Sequence, residues 1–217
     1  MAIIQDGSPG TEVKAIVDPT FKALRTSFFP LEHEGAYRCT QRSGTIAAAT
    51  GAGIQYSFRY FGAGSCVILS VKLGHQITAA FTQGAMAFNM FMTRGFWNPD
   101  TAGTAATSGL VQKQRTSMSQ FQTDMRVPTT GNLTAATVGG IDDPQPIAII
   151  QQDMPAIITN NPMREFLNYG PYSKLMTLGQ NEGFRIRSVN AYPAVGTAVL
   201  VMSVEWIEMP AGNTTFY

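Results

Sequence analysis

Gly183-Phe184-Arg185-Ile186-Arg187 and, after a short link containing Pro and Gly, Thr197-Ala198-Val199-Leu200-Val201-Met202-Ser203-Val204-Glu205-Trp206 decide how this chain folds. Both runs read as β-strands, joined as a closing hairpin. The same grammar recurs upstream at 54–61, 66–73 and 86–92. Almost nothing along the chain has the composition of catalytic equipment. A protein that spends its sequence on strands, keeps its charge low and assembles no reactive cluster is expected to be a structural or interaction part and not an enzyme.

The strands alternate with period two. Ile54, Tyr56, Phe58 and Tyr60 are interleaved with Gln55, Ser57 and Arg59, the pattern of a half-buried strand. Val67, Leu69, Val71 and Leu73 form the next apolar row, and Met86, Phe88, Met90 and Met92 a third. Between the first two, Phe61-Gly62-Ala63-Gly64-Ser65 is short enough for an antiparallel hairpin with a glycine at positive φ. Each strand offers one nearly continuous apolar face, which suits two packed sheets. The expected fold is all-β: an antiparallel, jelly-roll-like sandwich.

At 217 residues one sizeable β domain can fold without disulfides or metal. Charged residues are 13% of the chain, against about 25% in ordinary soluble domains. That fits a surface covered by other subunits and fits a plain compact β protein equally well. A net charge of +1 gives no steering toward nucleic acid or an anionic membrane. No apolar run reaches the roughly 18 residues of a membrane span, and Met1-Ala2-Ile3-Ile4-Gln5-Asp6-Gly7 lacks the basic start of a secretory signal. Cys39 and Cys66 are expected as reduced, buried thiols, though whether they pair is open from sequence.

The expected organisation is an extended N-terminal arm at 1–35, a β-sandwich domain at 36–208 and a C-terminal tail at 209–217. Prolines punctuate the arm, and apolar beads (Ile3, Val13, Ile16, Phe21, Leu24, Phe28, Phe29) are spaced along it. One helical turn fits Phe21-Lys22-Ala23-Leu24-Arg25. Within the domain, 95–145 is a long Gly/Thr-rich excursion with little to bury. Such a loop is usually functional or ordered by a partner. Leu110 to Met118 reads as strand or short helix. Pro146-Ile147-Ala148-Ile149-Ile150 restores a strand, and Asn161-Pro162-Met163-Arg164-Glu165-Phe166-Leu167 reads as one or two helical turns capped by Asn161.

Possible chemistry is thin. Glu32-His33-Glu34 is the densest ionisable cluster, but in extended chain His33 points away from both acids, and His75 is distant. Neither cysteine nor any serine stands in a nucleophile motif, and Asp142-Asp143 with Asp153 reads as turn chemistry before paired carboxylates. Gly51-Ala52-Gly53 and Gly62-Ala63-Gly64 lead into strands, not helices, so they are hairpin glycines and not phosphate loops. Lys113, Arg115, Arg126 and Arg59 with Phe121 or Tyr56 are a minor nucleic-acid reading. Asn132-Leu133-Thr134 and Asn213-Thr214-Thr215 match a glycosylation sequon without any sign of secretion. No catalytic, cofactor-binding or metal residues are expected.

Several strings taken together carry a resemblance. They are Val17-Asp18-Pro19-Thr20-Phe21-Lys22-Ala23, Tyr56-Ser57-Phe58-Arg59, Gln112-Lys113-Gln114-Arg115-Thr116-Ser117-Met118, Gln180-Asn181-Glu182-Gly183-Phe184 and Val204-Glu205-Trp206. From about residue 13 to 207 the chain resembles small virion proteins of tailed bacteriophages, encoded near the major capsid gene. The resemblance implies a capsid decoration or cement protein of the virion, assembled in the host cytoplasm. Its implied partners are the major capsid protein lattice and its own copies, as a homotrimer at local threefold positions. Nucleic acid and membrane are not among the expected partners. The alternative is a tail or head-fibre component with a receptor- or glycan-binding β-sandwich, for which Phe96, Trp97, Tyr169 and Tyr172 are the aromatic candidates.

Overall fold

The computed structural model describes residues 3–5, 12–14, 35–113, 120–167 and 175–209. The chain divides into two units, Met1–Glu34 and Gly35–Tyr217. In the first, β1 (Ile3–Gln5) and β2 (Glu12–Lys14) pair antiparallel, with Ile4 opposite Val13. The rest of the expected arm, including the turn at Phe21 to Arg25 and the Glu32-His33-Glu34 cluster, lies outside the described residues. So does everything after Met209.

The second unit is all-β, with no helix among the described residues. Its strands are β3 (Gly35–Ala47), β4 (Gly53–Tyr60), β5 (Ser65–Ala79), β6 (Gly84–Arg94), β7 (Gly103–Ala105), β8 (Val111–Lys113), β9 (Thr123–Pro128), β10 (Ile141–Asp142), β11 (Ala148–Met154), β12 (Arg164–Glu165), β13 (Met176–Leu178), β14 (Glu182–Ser188) and β15 (Thr197–Met209). They form two antiparallel sheets. One runs β10-β6-β14-β4-β9-β7, with β11 also on β6. The other runs β12-β5-β15-β3-β8, with β13 also on β5.

The pairings describe one long antiparallel ribbon rolled on itself. β3 pairs β15, β4 pairs β14, β5 pairs β13, and β6 pairs β11, so the first half of the domain meets the second half in reverse order. Among the eight strands of this ribbon (β3, β4, β5, β6, β11, β13, β14 and β15), every consecutive step except β6 to β11 crosses between sheets. That is the jelly roll, whose paired ribbon leaves few free edges. β14 and β15 lie at the centres of the two sheets, because each is hydrogen-bonded on both sides.

The core lies between the sheets. Along β15, Ala198, Leu200, Met202, Val204 and Trp206 are buried at period two. Phe58 of β4 stacks on Phe184 of β14 at 5.1 Å between centroids and meets the Trp206 edge at 5.5 Å across the sandwich. Tyr37 of β3 stacks on the same indole at 5.5 Å. Met86, Phe88 and Met90 fill the β6 side, as their period predicts.

Five details differ from the sequence expectations. The links β4–β5 and β14–β15 are arches between sheets, not hairpins, and neither Gly62 nor Gly64 has positive φ. The four-residue link 61–64 spans the roughly 10 Å between sheets as readily as it would reverse a strand. In β5 the core row is Cys66, Ile68, Val71, Leu73 and Ile77, because an irregularity opposite Glu205 and Trp206 shifts the phase and leaves Leu69 only half-buried. β4 is buried on both faces, Gln55 and Ser57 included. Residues 161–167 are extended, since edge pairing with β5 overrides the local cap: Asn161 N–H donates to His75 O and Phe166 N–H to Val71 O, both at 2.8 Å.

The fifth difference is the excursion at 95–145, whose described parts are laid on the domain's own sheets. β9 adds to β4, β7 to β9 and β8 to β3, and Phe96, Asp100, Met125, Val127 and Leu133 are buried.

If the Phe58–Phe184–Trp206 contact holds the two sheets together, Phe58→Ala should cost about 3–5 kcal/mol, the range for a buried Phe truncated to Ala. Urea unfolding followed by tryptophan fluorescence reads this, since Trp206 is buried and Trp97 is already largely exposed in the fold. A loss under about 1 kcal/mol would mean that the rings are not packed as described.

Candidate functional site

The outer face of the β4 sheet carries the molecule's most elaborate polar construction. Arg185 sits on β14 with its side chain 2% exposed, and Asp100 from the excursion meets it fully buried. The guanidinium donates from Nε to Asp100 Oδ2 at 2.8 Å and from Nη2 to Asp100 Oδ1 at 2.5 Å. Its Nη1 donates to Gly140 O at 2.6 Å and to Asp142 Oδ1 at 3.0 Å. Below it the Phe96 ring lies 4.7 Å from Cζ. Burial works against the guanidinium charge, and the two carboxylates overcome that and hold its pKa above the ordinary value.

The backbone is shaped to admit this junction. A Cβ on Gly183 would stand 2.0 Å from Phe58 O, so β4 can pair here only with glycine, and the open space also leaves room for the Phe96 ring, 3.0 Å from that position. Gly140, at φ +75°, brings its carbonyl onto Arg185 in a conformation that side chains resist. Asp100 also accepts from Ala136 N–H at 2.9 Å, and Asp142 from Thr93 Oγ1 at 2.9 Å. Gln55 donates to Asn132 Oδ1, and Asn132 donates in turn to Gly51 O at 3.0 Å. The excursion is thereby tied to the sheet at several separate points.

A second polar group bridges the sheets inside the sandwich. His75 of β5 is hydrogen-bonded through Nδ1 to Gln152 Oε1 of β11 and through Nε2 to the Tyr192 hydroxyl at 3.0 Å. The Gln152 acceptor places the proton on Nδ1, so Nε2 accepts from Tyr192. Burial lowers the His75 pKa to about 4, keeping the ring neutral at physiological pH. Glu208, near the end of β15, accepts from Gln122 N–H at 2.9 and 2.8 Å and from Trp206 Nε1–H at 2.9 Å. Burial pushes its carboxyl up to about 7, against the lowering effect of those donors.

These are structural uses of ionisable groups. Asp142 is committed to Arg185, Asp143 is bound by Arg94 at 2.9 Å, and Asp153 lies at the far end of β11, so the three acids make no catalytic pair. Cys39 and Cys66 are buried free thiols; burial raises the first to about 11 and the second well above its ordinary value. Arg126 is held by Asp124 at 2.8 Å, Arg59 donates to Trp97 O at 2.5 Å, and Tyr56 is in the core; Arg115 lies outside the described residues. Of the aromatic loop residues, Phe96 is buried under Arg185 and Trp97 is 60% exposed, while Tyr169 and Tyr172 lie outside the described residues. Among the described residues no group of three His, Cys, Asp or Glu is placed to hold a metal ion.

Large apolar side chains also stand exposed on the surface. Phe61, Trp97, Leu110 and Val138 are exposed in the β4–β5 link and the excursion. Ile157, Ile158, Val189 and Val195 are exposed in the links after β11 and β14. Sequence reasoning missed the Arg185 junction; the one available signal was an arginine inside an apolar strand. No protein-family model, curated protein or solved structure matches this chain.

The two shifted groups give opposite pH slopes. Glu208 rises from 4.5 to about 7 on folding, so its stabilisation is full below pH 4.5 and is lost as the pH climbs through 7. His75 falls from 6.5 to about 4, so its contribution is full above pH 6.5 and is lost as the pH drops through 4. Glu208→Gln removes the first slope. Its stability should rise with pH up to about 6.5 while the wild type stays flatter, the two diverging by about 3 kcal/mol between pH 4.5 and 7. Urea midpoints across that range check this, and parallel curves would mean that Glu208 stays ionised in the fold.

Proposed function

We propose that this protein is a structural, non-enzymatic component of a tailed-bacteriophage virion. Its role is that of a capsid decoration or cement protein that bridges and stabilises major capsid protein subunits. The observation that carries the reading is the use of the shifted ionisable groups. Arg185, His75 and Glu208 each fasten one element to another inside the domain. What such a body offers a partner is shape and exposed apolar side chains.

The physical logic of a cement protein matches this. Contacts that are individually small become strong when a lattice repeats them. A jelly roll with its excursion tied down changes little on binding, so little ordering entropy opposes association. The spaced apolar residues before the domain give a clamp something to lay against a neighbour. Assembly as a homotrimer in the host cytoplasm belongs to the same reading; nucleic acid and membrane have no part in it. Exposed Trp97 favours one rival, a tail or head-fibre component that binds a receptor or glycan.

The test is to add full-length protein, and a form lacking residues 1–30, to particles that have none. Full-length protein should occupy the shell and raise the temperature of genome release. Truncation removes Phe21, Leu24, Phe28 and Phe29. Burying two such side chains is worth about 3–6 kcal/mol, so binding should weaken by two orders of magnitude or more. Equal binding by both forms would confine the arm to its own domain. Failure of both to bind capsids, with binding to host cells or a glycan array, would replace the cement role by the rival one.

A further inference from the structure

At one end of the sandwich the links between strands carry no charged residue, the nearest charges being Asp153, Arg42 and Arg187 on the flanking strands. Four links meet there: 48–52 after β3, 80–83 after β5, 155–163 after β11 and 189–196 after β14. None contains Asp, Glu, Lys, Arg or His. Links are ordinarily where polar and charged residues gather, and even this charge-poor chain places Arg38, Arg42, Lys72 and Glu205 on the outward face of its second sheet.

Backbone hydrogen bonds knit the links into one cap. Ala48 N–H donates to Gly196 O at 3.0 Å, Tyr192 N–H to Thr50 O at 2.9 Å, Thr82 N–H to Ala194 O at 2.9 Å, and Phe81 N–H to Pro155 O at 3.4 Å. Under the cap Phe81 and Tyr192 pack at 6.1 Å, with the Tyr192 hydroxyl held by His75. Its outer surface presents Ile157, Ile158, Val189 and Val195, between 53% and 71% exposed.

Val195 adds an independent sign. It has φ +60° and is followed by Gly196 at +92°, a tight turn in which Asn-Gly is the ordinary solution. A β-branched residue in the left-handed region is strained. The fold thus holds an aliphatic group at a turn tip, where a polar residue would be both less strained and more soluble.

We propose that this charge-free cap is the surface through which copies of the chain associate with one another. Interface centres are depleted of charge, because burying a charge without a partner is costly. A face that meets its own copy must also be compatible with itself. Like charges would repel there, and this cap has none. The four links fall within the roughly 20–30 residues a side of a standard interface. An anionic lipid surface is a poorer fit, since only Arg42, beside Asn160 and Asn161, and Arg187, two residues before Val189 and paired with Asp142, border the exposed aliphatics, too few for a basic rim. The inference deepens the proposed role by naming the contact through which copies would assemble, and its test needs no particle.

Sedimentation equilibrium of the full chain, from about 1 to 100 µM, reads the association. The wild type should self-associate. Val195→Asn should weaken this about tenfold or more while raising the melting temperature by about 2–4 °C, because it relieves the turn. Ile158→Asp should abolish association, and Trp97→Ala in the excursion should leave it unchanged. A wild type monomeric throughout overturns the inference, as does unchanged association in Val195→Asn. A monomer that floats with neutral liposomes would give the cap to lipid. A monomer that still decorates particles would give it to the capsid, refuting self-association while leaving the cement role standing.

Discussion

A positive charge buried on a β-sheet must be answered by negative charge from somewhere, and in this protein that demand fixes the ends of the long excursion on the sheet. Arg185 stands on the central strand β14, and neither neighbouring strand, β4 nor β6, carries the acid that pairs it. Asp100 and Asp142 supply the charge from the two ends of a long excursion. Bringing them in draws Phe96 under the guanidinium and Gly140 over it. A buried ion pair is weak evidence for net stability, because desolvation of both partners offsets much of the attraction. What it supplies is geometry. Once Arg185 is buried, an arrangement that leaves it unpaired costs several kcal/mol, so the excursion has one place to go.

The rolled ribbon imposes the second constraint. The main pairings join the beginning of the domain to its end, β3 with β15 and β4 with β14. Such non-local pairing is slow to form, since loop closure precedes the reward. The last two long strands each become central, so neither sheet is complete until the chain is. A pure hairpin meander would have escaped this cost and left open edges. The jelly roll trades folding speed for a body with few exposed strand edges.

Much of the fold was legible because period two survives in β4, β6 and β15. Met86, Phe88 and Met90 point inward as their spacing says. Arches were not legible, since Phe61-Gly62-Ala63-Gly64-Ser65 satisfies a hairpin and a sheet-to-sheet link equally. The phase change in β5 hid behind apolar residues on both sides of the irregularity, where Val67 and Ile68 are interchangeable to any pattern. The turns expected at 161–167 failed for a tertiary reason, the hydrogen bonds offered by the edge of β5. At the candidate site, sequence spacing cannot show that Asp100 and Arg185 meet, being far apart in the chain. The uncharged cap was scattered over four links and became a surface only when the topology put them at one end.

In the isolated protein the excursion is part of the fold, held by Arg185. Hydrogen exchange on the isolated protein, compared with Asp100→Ala, tests that directly. The account predicts slow exchange in the wild type at Phe96, Leu133, Ala136 and Gly140, whose amides are bonded within the domain. In Asp100→Ala these positions should lose protection while β3, β5 and β15 keep theirs. Equally fast exchange across 95–142 in both proteins would contradict it, and would return the excursion to a loop that waits for a partner to order it.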